Sequence, residues 1–190
     1  VKDNVYLGPS YESQEIKSFL DSQNIDYTYL ESKNLLDTTA KLISEKNVVG
    51  WFQGKMEWGP RAVGNRSILA DPRQADMKDI LNAKIKHRES FRPFAPSIME
   101  EYLEEYFELD IPSPYMLLVA KIKKPQSIPA VTHLDGTGRV QTVDRNINKK
   151  FYDLINEFYK ISGIPLVLNT SFNLNGEPIV KSPVEALRTF

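Results

Sequence analysis

Cysteine is absent from the sequence, and histidine occurs only twice, at His87 and His133. The lack of cysteine excludes a disulfide framework and every metal site built on thiolates. His133 is a candidate metal ligand, but two histidines without cysteine make no convincing metal site from protein groups alone. We therefore predict no metal site on this chain, and we interpret His87, which stands among cations, as structural or exposed.

Long apolar runs are also missing, because none approaches the roughly 18 residues that a membrane-spanning helix needs. This excludes a membrane span, and the first residues show no apolar signal segment. The apolar share of 41% and the charged share of 26% are typical of a globular protein, and 190 residues suffice for one domain with a core. The absence of cysteine and of a signal segment predicts a cytoplasmic location.

A strong net charge is missing too, since the formal charge is −1. A general nucleic-acid binder has a global basic field, which this composition lacks. Residues 53–92 nevertheless contain nine Lys or Arg against five Asp or Glu, and such a local excess suits a compact anionic ligand better than a long polyanion. A nucleic-acid-binding module that uses the cations of 78–92 is the alternative, but no aromatic stacking platform is interleaved with them.

Hydrophobic periodicity predicts helices and strands that alternate irregularly, without internal repeats. The predicted strands cover residues 4–7, 26–30, 47–53, 95–99, 115–122, 139–143 and 164–168. The predicted helices lie near 16–20 and 35–43, from a cap at Asp71 to Ile85, near 100–108, near 151–162 and after Ser182. This order favours one α/β (α+β) domain, built on a twisted mixed sheet that is flanked by helices.

The last predicted helix begins at a capping box formed by Ser182 and Glu185. Only two turns follow, and a helix of that length is marginal by itself. We therefore expect the chain to be a piece of a larger polypeptide, with 1–47 as a leading segment and 48–190 as the part that carries the motifs.

Glycines and cations combine in residues 54–67, directly after a predicted buried strand. The cations are Lys55, Arg61 and Arg66, and the glycines let the backbone approach a ligand closely. One guanidinium group can donate two parallel hydrogen bonds to two phosphate oxygens, whereas lysine acts as a point charge. A surface loop with solvated charges is the plainer alternative, which the density of glycine and cations disfavours. The stretch is not a Walker A loop, because Gly-x-x-x-x-Gly-Lys-Ser/Thr is absent.

Amides and hydroxyls follow the apolar strand predicted at 164–168. Asn169, Thr170, Ser171 and Asn173 would lie at the carboxyl edge of the sheet, where α/β proteins form ligand sites. Such side chains can donate to phosphate, to ribose or to a planar amide. A turn stabilised by bonds between side chains and backbone explains the same residues equally well.

This second motif, within residues 165–178, resembles the Thr-Ser-Ala-Asn-Leu-Ser-Gly-Glu-Pro signature of YrdC-like domains, which form threonylcarbamoyl adenylate. Both motifs together, with residues 88–96, 112–114 and 133–143, more closely resemble the C-terminal domain of O-carbamoyltransferases of the nodulation protein U and antibiotic carbamoyltransferase type. The resemblance covers nearly everything after residue 48. A threonylcarbamoyl adenylate synthase is the rival, although the chain lacks that family's early Lys-Arg-rich signature.

The resemblance implies one half of a two-domain enzyme. The C-terminal, YrdC-like domain would take carbamoyl phosphate and ATP, with Mg²⁺ sharing the phosphate charge, and would form carbamoyl adenylate. A larger N-terminal domain of the ASKHA type, carrying an iron site, would transfer the carbamoyl group to an acceptor hydroxyl. This chain would then activate the carbamoyl group without transferring it, or would only bind nucleotide without its partner domain.

The resemblance also implies roles for individual residues. Contacts to phosphate and carbamoyl groups fall to Lys55, Arg61, Arg66 and Arg92. Contacts to substrate or nucleotide fall to Arg88, Asn169, Thr170, Ser171 and Asn173. Arg139 and Arg145 would close the opposite edge, and Gln141 shares the face of Arg139 because strand residues alternate. These roles depend on one spatial expectation: the guanidinium groups near position 60 face the amides near position 171 across a single cavity.

Overall fold

The computed structural model, which describes residues 4–190, contains a mixed five-stranded sheet and a separate two-stranded ribbon. The strands are β1 (Val49–Phe52), β2 (Arg66–Ala70), β3 (Ala95–Met99), β4 (Val119–Lys121), β5 (Thr137–Arg139), β6 (Gln141–Val143) and β7 (Leu166–Ser171). The sheet has the order β1-β2-β7-β3-β6, and β4 pairs with β5 in the ribbon. Within the sheet β3 and β6 run parallel, and the other neighbours are antiparallel.

Helices accompany the sheet along the whole described chain. They are α1 (Ser13–Ser22), α2 (Ser32–Ser44), α3 (Met77–Lys84), α4 (Leu103–Tyr106), α5 (Lys149–Ser162) and α6 (Pro183–Thr189). Short 3₁₀ turns cover Glu100–Tyr102, Pro125–Ser127 and Pro129–Val131. None of the helices within residues 4–190 is both long and apolar enough to cross a bilayer.

Apolar clusters cover both faces of the sheet. In β2, Ile68 and Ala70 join the cluster that contains Met77 and Leu81 of α3, whereas Leu69 joins the cluster around α2 and α5 on the other face. This alternation follows from the two-residue period of a strand. A mixed sheet with helices packed on its faces confirms the predicted α/β fold class.

Local sequence signals explain how α5 and α6 begin and end. The Asn148 side chain accepts a hydrogen bond from Phe151 N at 3.3 Å and caps α5, which ends at Gly163 with a φ of +70°. The predicted capping box between Ser182 and Glu185 is present at the start of α6.

Several predicted strands are absent or shorter than expected. Residues 4–7 and 26–30 have no regular secondary structure, because neither segment has a ladder partner within the described residues. The strand predicted at 115–122 is reduced to β4. The strand predicted at 139–143 divides at Val140, since β5 pairs in the ribbon and β6 joins the large sheet.

Three further elements differ from the prediction. The helix expected from Asp71 begins only at Met77, because the Asp71 carboxylate accepts from the backbone N–H and the guanidinium of Arg73 and so closes a turn. The central strand β2 was not predicted, because its first residue, Arg66, looked like one more cation of the loop. The helix expected at 100–108 is a 3₁₀ turn followed by the single turn of α4.

Candidate functional site

The two motifs meet because β2 and β7 are neighbours in the sheet. They pair antiparallel, with Ser67 opposite Ser171 and Leu69 opposite Asn169. The loop that leads into β2 therefore lies beside the end of β7. In this way the structure brings Arg61 of the first motif and residues 169–171 of the second motif to one recess.

This polar recess has a volume of about 80 Å³. Its charged and hydrogen-bonding side chains are those of Arg61, Arg88, Arg139, Asn169, Thr170 and Ser171. They come from the loop before β2, from the segment after α3, from the end of β5 and from β7. No Asp or Glu is among the residues that line the recess, which is therefore cationic.

The three arginines of the polar recess have no acidic partner among the described residues, since Arg61, Arg88 and Arg139 form no ion pair there. Burial lowers the pKa of Arg139, and the positive charges of Arg61 and Arg88 lower it further. Burial, followed by the charge of Arg92, lowers the pKa of Arg88. Like charges held this close repel one another, and a bound anion would relieve that repulsion.

Arg88 and Arg139 differ in how much of their donor capacity is already used. The Nε of Arg88 donates to Asn82 Oδ1 at 2.7 Å, and its guanidinium carbon lies 4.9 Å from the ring centroid of Phe94. The Nε of Arg139 is buried and has no hydrogen-bond partner within residues 4–190. Arg88 is thus held in a fixed orientation, whereas the Nε–H of Arg139 is not used by any acceptor among the described residues.

Asn169 is 1% exposed, and its amide nitrogen is fully engaged. Nδ2 donates to Ser97 Oγ at 3.0 Å, to Gln141 Oε1 at 3.1 Å and to Ala62 O at 3.3 Å. Its Oδ1 has no partner among the described residues. Gln141, predicted as a binding residue, does not line the polar recess and instead donates through Nε2 to Val63 O. The side chain of Gln141 therefore holds the Asn169 amide in place from outside the polar recess, through its Oε1.

Lys86 holds the end of β7 in place. Its ammonium group is buried and donates to Ser171 O at 2.7 Å and to the backbone and side-chain oxygens of Asn173 at 2.8 Å. Lys86 lies two residues after the end of α3 at Lys84, and its side chain there reaches the end of β7. Asn173, predicted as a nucleotide contact, lies outside the polar recess and is engaged in this turn.

We expect Lys86 to make the protein more stable as the pH rises above about 8. Burial, followed by the charge of Arg88, lowers the pKa of Lys86 from 10.5 to about 8. Between these values the unfolded chain binds a proton that the folded chain lacks, so the free energy of unfolding rises with pH, by about 2 kcal/mol. Urea unfolding of the wild type and of Lys86→Met from pH 7 to pH 10 measures this difference. Parallel pH profiles for the two proteins would contradict it.

A buried carboxylate that the sequence reasoning missed, Glu57, shapes the loop that carries Arg61. Its Oε1 accepts from the backbone N–H groups of Val63 at 2.6 Å, Asn65 at 3.1 Å and Arg66 at 3.3 Å. Three donors converging on one oxygen bend the chain around the carboxylate. The only signal in the sequence was an acidic residue placed among glycines and cations.

Glycine is required at position 64, where this loop packs against α5. Gly64 has a φ of +112°, and a Cβ there would lie 2.3 Å from Cδ1 of Phe151. Nearby, Gln53 Nε2 donates to Asn65 Oδ1 at 2.8 Å and to Asn148 Oδ1 at 2.9 Å. These contacts fix the loop to the first turn of α5.

The N-terminal segment also supports the first motif. Trp58 N donates to Val5 O at 2.7 Å, and the hydroxyl of Tyr6 donates to Val63 O at 2.9 Å. Burial raises the pKa of Tyr6, which keeps this hydroxyl a donor. Residues 4–9 therefore pack against the first motif, although the sequence predicted only a leading segment here. Residues 1–3 lie outside the described chain.

A larger recess of about 400 Å³ adjoins the polar recess. The two share Pro60, Arg61, Met116 and Arg139. The rest of the lining of this apolar recess is Val5, Trp58, Gly59, Val63, Tyr115 and Leu117. Trp58 is 77% exposed, so an indole face is available at its rim. The combined site has a small cationic end and a larger apolar end.

Arg66 does not reach the polar recess, although the resemblance assigned it a phosphate contact. Its side chain is fully buried in β2, and its guanidinium carbon lies 3.6 Å from the ring centroid of Phe52. Burial lowers its pKa to about 10. Its terminal nitrogens donate to four backbone carbonyls, those of Pro9, Gln53, Gly54 and Asn65. Arg66 therefore supports the fold of the loop.

Three other predicted cations lie outside the polar recess. Lys55 is exposed and does not line it. Arg92 is exposed and pairs with Glu89 at 2.9 Å. Arg145 is exposed and lies 3.6 Å from Asp153. The loop and turn positions of these residues direct their side chains to solvent.

The cations of 78–92 do not form one exposed basic surface. Lys86 is buried, Arg88 lines the polar recess, and Arg92 is paired with Glu89. An electrostatic surface for nucleic acid needs several cations facing solvent together, so this segment does not favour that alternative.

Residues 4–190 contain no group of three or more His, Cys, Asp or Glu side chains that could hold a metal ion. Nδ1 of His133 lies 3.0 Å from Thr137 Oγ1, and burial lowers the pKa of His133. Since the polar recess has no carboxylate either, its side chains do not fit Mg²⁺ as direct ligands.

Comparison with known proteins extends these observations. The family model for the carbamoyltransferase C-terminus matches residues 40–190. The nodulation protein NolO of Bradyrhizobium diazoefficiens is 44% identical over 193 residues, which cover 98% of this chain and 35% of NolO. The 3′-hydroxymethylcephem-O-carbamoyltransferase of Amycolatopsis lactamdurans is 41% identical over 144 residues, which cover 76% of this chain and 28% of that protein.

Two solved structures share the fold. Full-length HypF in its phosphate- and nucleotide-bound form matches with a TM-score of 0.56 and 20% identity, over 87% of this chain and 20% of HypF. Sua5 of P. abyssi in complex with L-threonine matches with a TM-score of 0.56 and 17% identity, over 85% of this chain and 45% of Sua5. The chain spans about a third of the length of the curated relatives it matches. The family match and the relatives show that this chain belongs to the carbamoyltransferase C-terminal family.

Proposed function

We propose that this chain is the carbamoyl-activating part of an O-carbamoyltransferase, which forms carbamoyl adenylate from carbamoyl phosphate and ATP. The observation that carries the proposal is the cluster of Arg61, Arg88 and Arg139, three arginines without acidic partners among the described residues, around one small recess. Membership of the carbamoyltransferase C-terminal family supplies the reaction class. The likeness to the phosphate- and nucleotide-bound HypF is consistent with a site for such anions.

The chemistry needs positioning and charge neutralisation more than proton transfer. One water hydrolyses carbamoyl phosphate to carbamate and inorganic phosphate. A carboxylate oxygen of carbamate then forms a bond to the α-phosphorus of ATP, the bond from that phosphorus to the bridging oxygen breaks, and pyrophosphate leaves with the electron pair. Both reactants are anions, so their approach requires fixed positive charge, which the three arginines supply.

The two recesses suit different parts of the reactants. The polar recess, at about 80 Å³, suits the carbamoyl group and one phosphate. The apolar recess, at about 400 Å³, is within the size range of ligand pockets, and the Trp58 indole at its rim suits the nucleoside of ATP. Mg²⁺ would arrive bound to the nucleotide phosphates, because the side chains of the polar recess offer it no carboxylate.

Transfer to an acceptor hydroxyl would take place on another part of a longer protein, outside this chain. The relatives are about three times as long as the matched region, which leaves room for a second active site. We propose that this remainder is the N-terminal ASKHA-type domain that the family resemblance implies. This chain would therefore contribute the activation step.

The decisive experiment is exchange of radiolabelled pyrophosphate into ATP, with and without carbamoyl phosphate. We expect exchange that depends on carbamoyl phosphate, because pyrophosphate re-forms ATP only from an adenylate. Exchange that instead requires threonine and bicarbonate would replace the proposal with threonylcarbamoyl adenylate synthesis. No exchange with either substrate set, together with no binding of ATP by calorimetry, would contradict both.

A further inference from the structure

Two of the buried polar atoms that lack hydrogen-bond partners among the described residues belong to side chains that line the polar recess. They are the donor Nε of Arg139 and the acceptor Oδ1 of Asn169. The two other such atoms, Glu57 Oε2 and Arg66 Nε, belong to the support of the first motif. A buried polar atom without a partner destabilises the folded protein, so a ligand that bonds to both Arg139 Nε and Asn169 Oδ1 would recover that loss.

The hydrogen-bond network determines which end of the Asn169 amide is free. Gln141 Nε2 donates to Val63 O at 2.9 Å, which leaves Gln141 Oε1 as an acceptor. Ser97 Oγ and Asn169 Nδ2 both donate to that oxygen, at 2.6 Å and 3.1 Å. Exchanging the two ends of the Asn169 amide would set its oxygen against the oxygens of Gln141 and Ala62. The free group of Asn169 is therefore an acceptor.

From this pair we infer that Arg139 Nε and Asn169 Oδ1 recognise the primary amide of a carbamoyl group and make the site selective for carbamoyl over other acyl phosphates. The carbonyl oxygen accepts from Arg139, and the NH₂ group donates to Asn169, while Arg61 and Arg88 remain for the phosphate. This inference rests on the proposed function and specifies which atoms choose the substrate. An acetyl group offers the same carbonyl but a methyl group in place of NH₂, so it leaves the buried oxygen of Asn169 without a partner.

A matched pair of stable probes tests the inference with the intact chain. Phosphonoacetamide carries the carbonyl with NH₂, and acetonylphosphonate carries the same carbonyl with CH₃. We expect calorimetry to show that the wild type binds phosphonoacetamide about tenfold more tightly, the worth of one hydrogen bond to an otherwise unpaired buried acceptor. Equal affinities for the two probes would overturn the inference.

Two variants separate the roles of the two atoms. Asn169→Ala should reduce the tenfold ratio of the two probe affinities to about one. Arg139→Lys keeps the charge but lacks the Nε–H, so it should weaken both probes in parallel and preserve the ratio. A preserved ratio in Asn169→Ala would overturn the inference, and the wild-type ratio decides it where that variant is too unstable to purify. Asn175→Ala, an exposed residue outside the polar recess, is the control.

Inorganic phosphate distinguishes failure of the inference from failure of the proposed function. If the wild type binds phosphate and both probes equally, the anion site stands and the selectivity is wrong. If the wild type binds neither phosphate nor either probe, the polar recess is not an anion site, which overturns the proposed function and the inference together.

Discussion

Replacing Arg61 with alanine is expected to reduce carbamoyl phosphate-dependent ATP–pyrophosphate exchange by roughly 10²- to 10³-fold. Arg61 lines both the polar recess and the apolar recess, so it stands where the phosphates and the nucleoside would join. Its charge also acts on Arg139, whose pKa it lowers. The guanidinium is exposed and forms no ion pair within the described chain, so it can bind an anionic ligand.

The same substitution should leave the fold intact and should not lower its stability. Removing one of three like charges relieves repulsion on Arg139, which favours the folded state. A residue that costs stability and supports activity is typical of a functional site. Unfolding by urea measures the first effect, and calorimetry with ATP and with carbamoyl phosphate measures the loss of binding.

Arg145→Ala is the matched control for Arg61→Ala. It removes an equal charge from an exposed arginine, but one that lies beside Asp153 and outside both recesses. We expect its exchange rate to stay within twofold of the wild type. If Arg61→Ala binds both ligands as the wild type does, Arg61 has no part in the site.

Much of the site's position could be predicted from the sequence, because it follows from local pattern. Apolar runs marked β1 and β7, and each was followed by residues suited to a ligand. What the pattern could not show was which cations point inward. Arg61 and Arg66 have similar sequence surroundings, yet one is exposed at a recess and the other is fully buried. The difference depends on the pairing of β2, a contact between distant parts of the chain.

The same limit explains the other misplaced residues. Lys86 follows a helix with an exposed face, and only the position of the β7 end, 85 residues further on, makes it a buried donor. Gln141 was placed on the face of Arg139 by alternation, but the chain leaves one sheet for the other at Val140. The role of Glu57 follows from the three backbone N–H groups that donate to its carboxylate, and the sequence does not show these contacts. For Lys86 and Gln141 the deciding partners are far along the chain, whereas the partners of Glu57 are the nearby N–H groups of Val63, Asn65 and Arg66.

Arg66→Met is expected to destabilise the protein by about 3–5 kcal/mol, the range for breaking a buried charged network. The methionine removes every hydrogen bond to the four carbonyls of Pro9, Gln53, Gly54 and Asn65 and keeps only the contact with Phe52. A buried carbonyl that loses its charged donor destabilises the folded state because its oxygen is left without a hydrogen bond. Water can replace the donor only at the part-buried carbonyls. The N-terminal segment and the loop before β2 should therefore detach first.

Arg66→Lys tests whether charge or geometry matters at this position. Lysine keeps the positive charge but has a single nitrogen. It therefore cannot donate to all four carbonyls that the planar guanidinium of Arg66 binds. We expect it to recover less than half of the stability lost in Arg66→Met, as measured by urea unfolding at pH 7. A variant Arg66→Met that is as stable as the wild type but no longer binds nucleotide would contradict this account, because it would make Arg66 a ligand contact and β2 independent of its charge. We expect the opposite order: loss of Arg66 unfolds the loop, and any loss of binding follows from that.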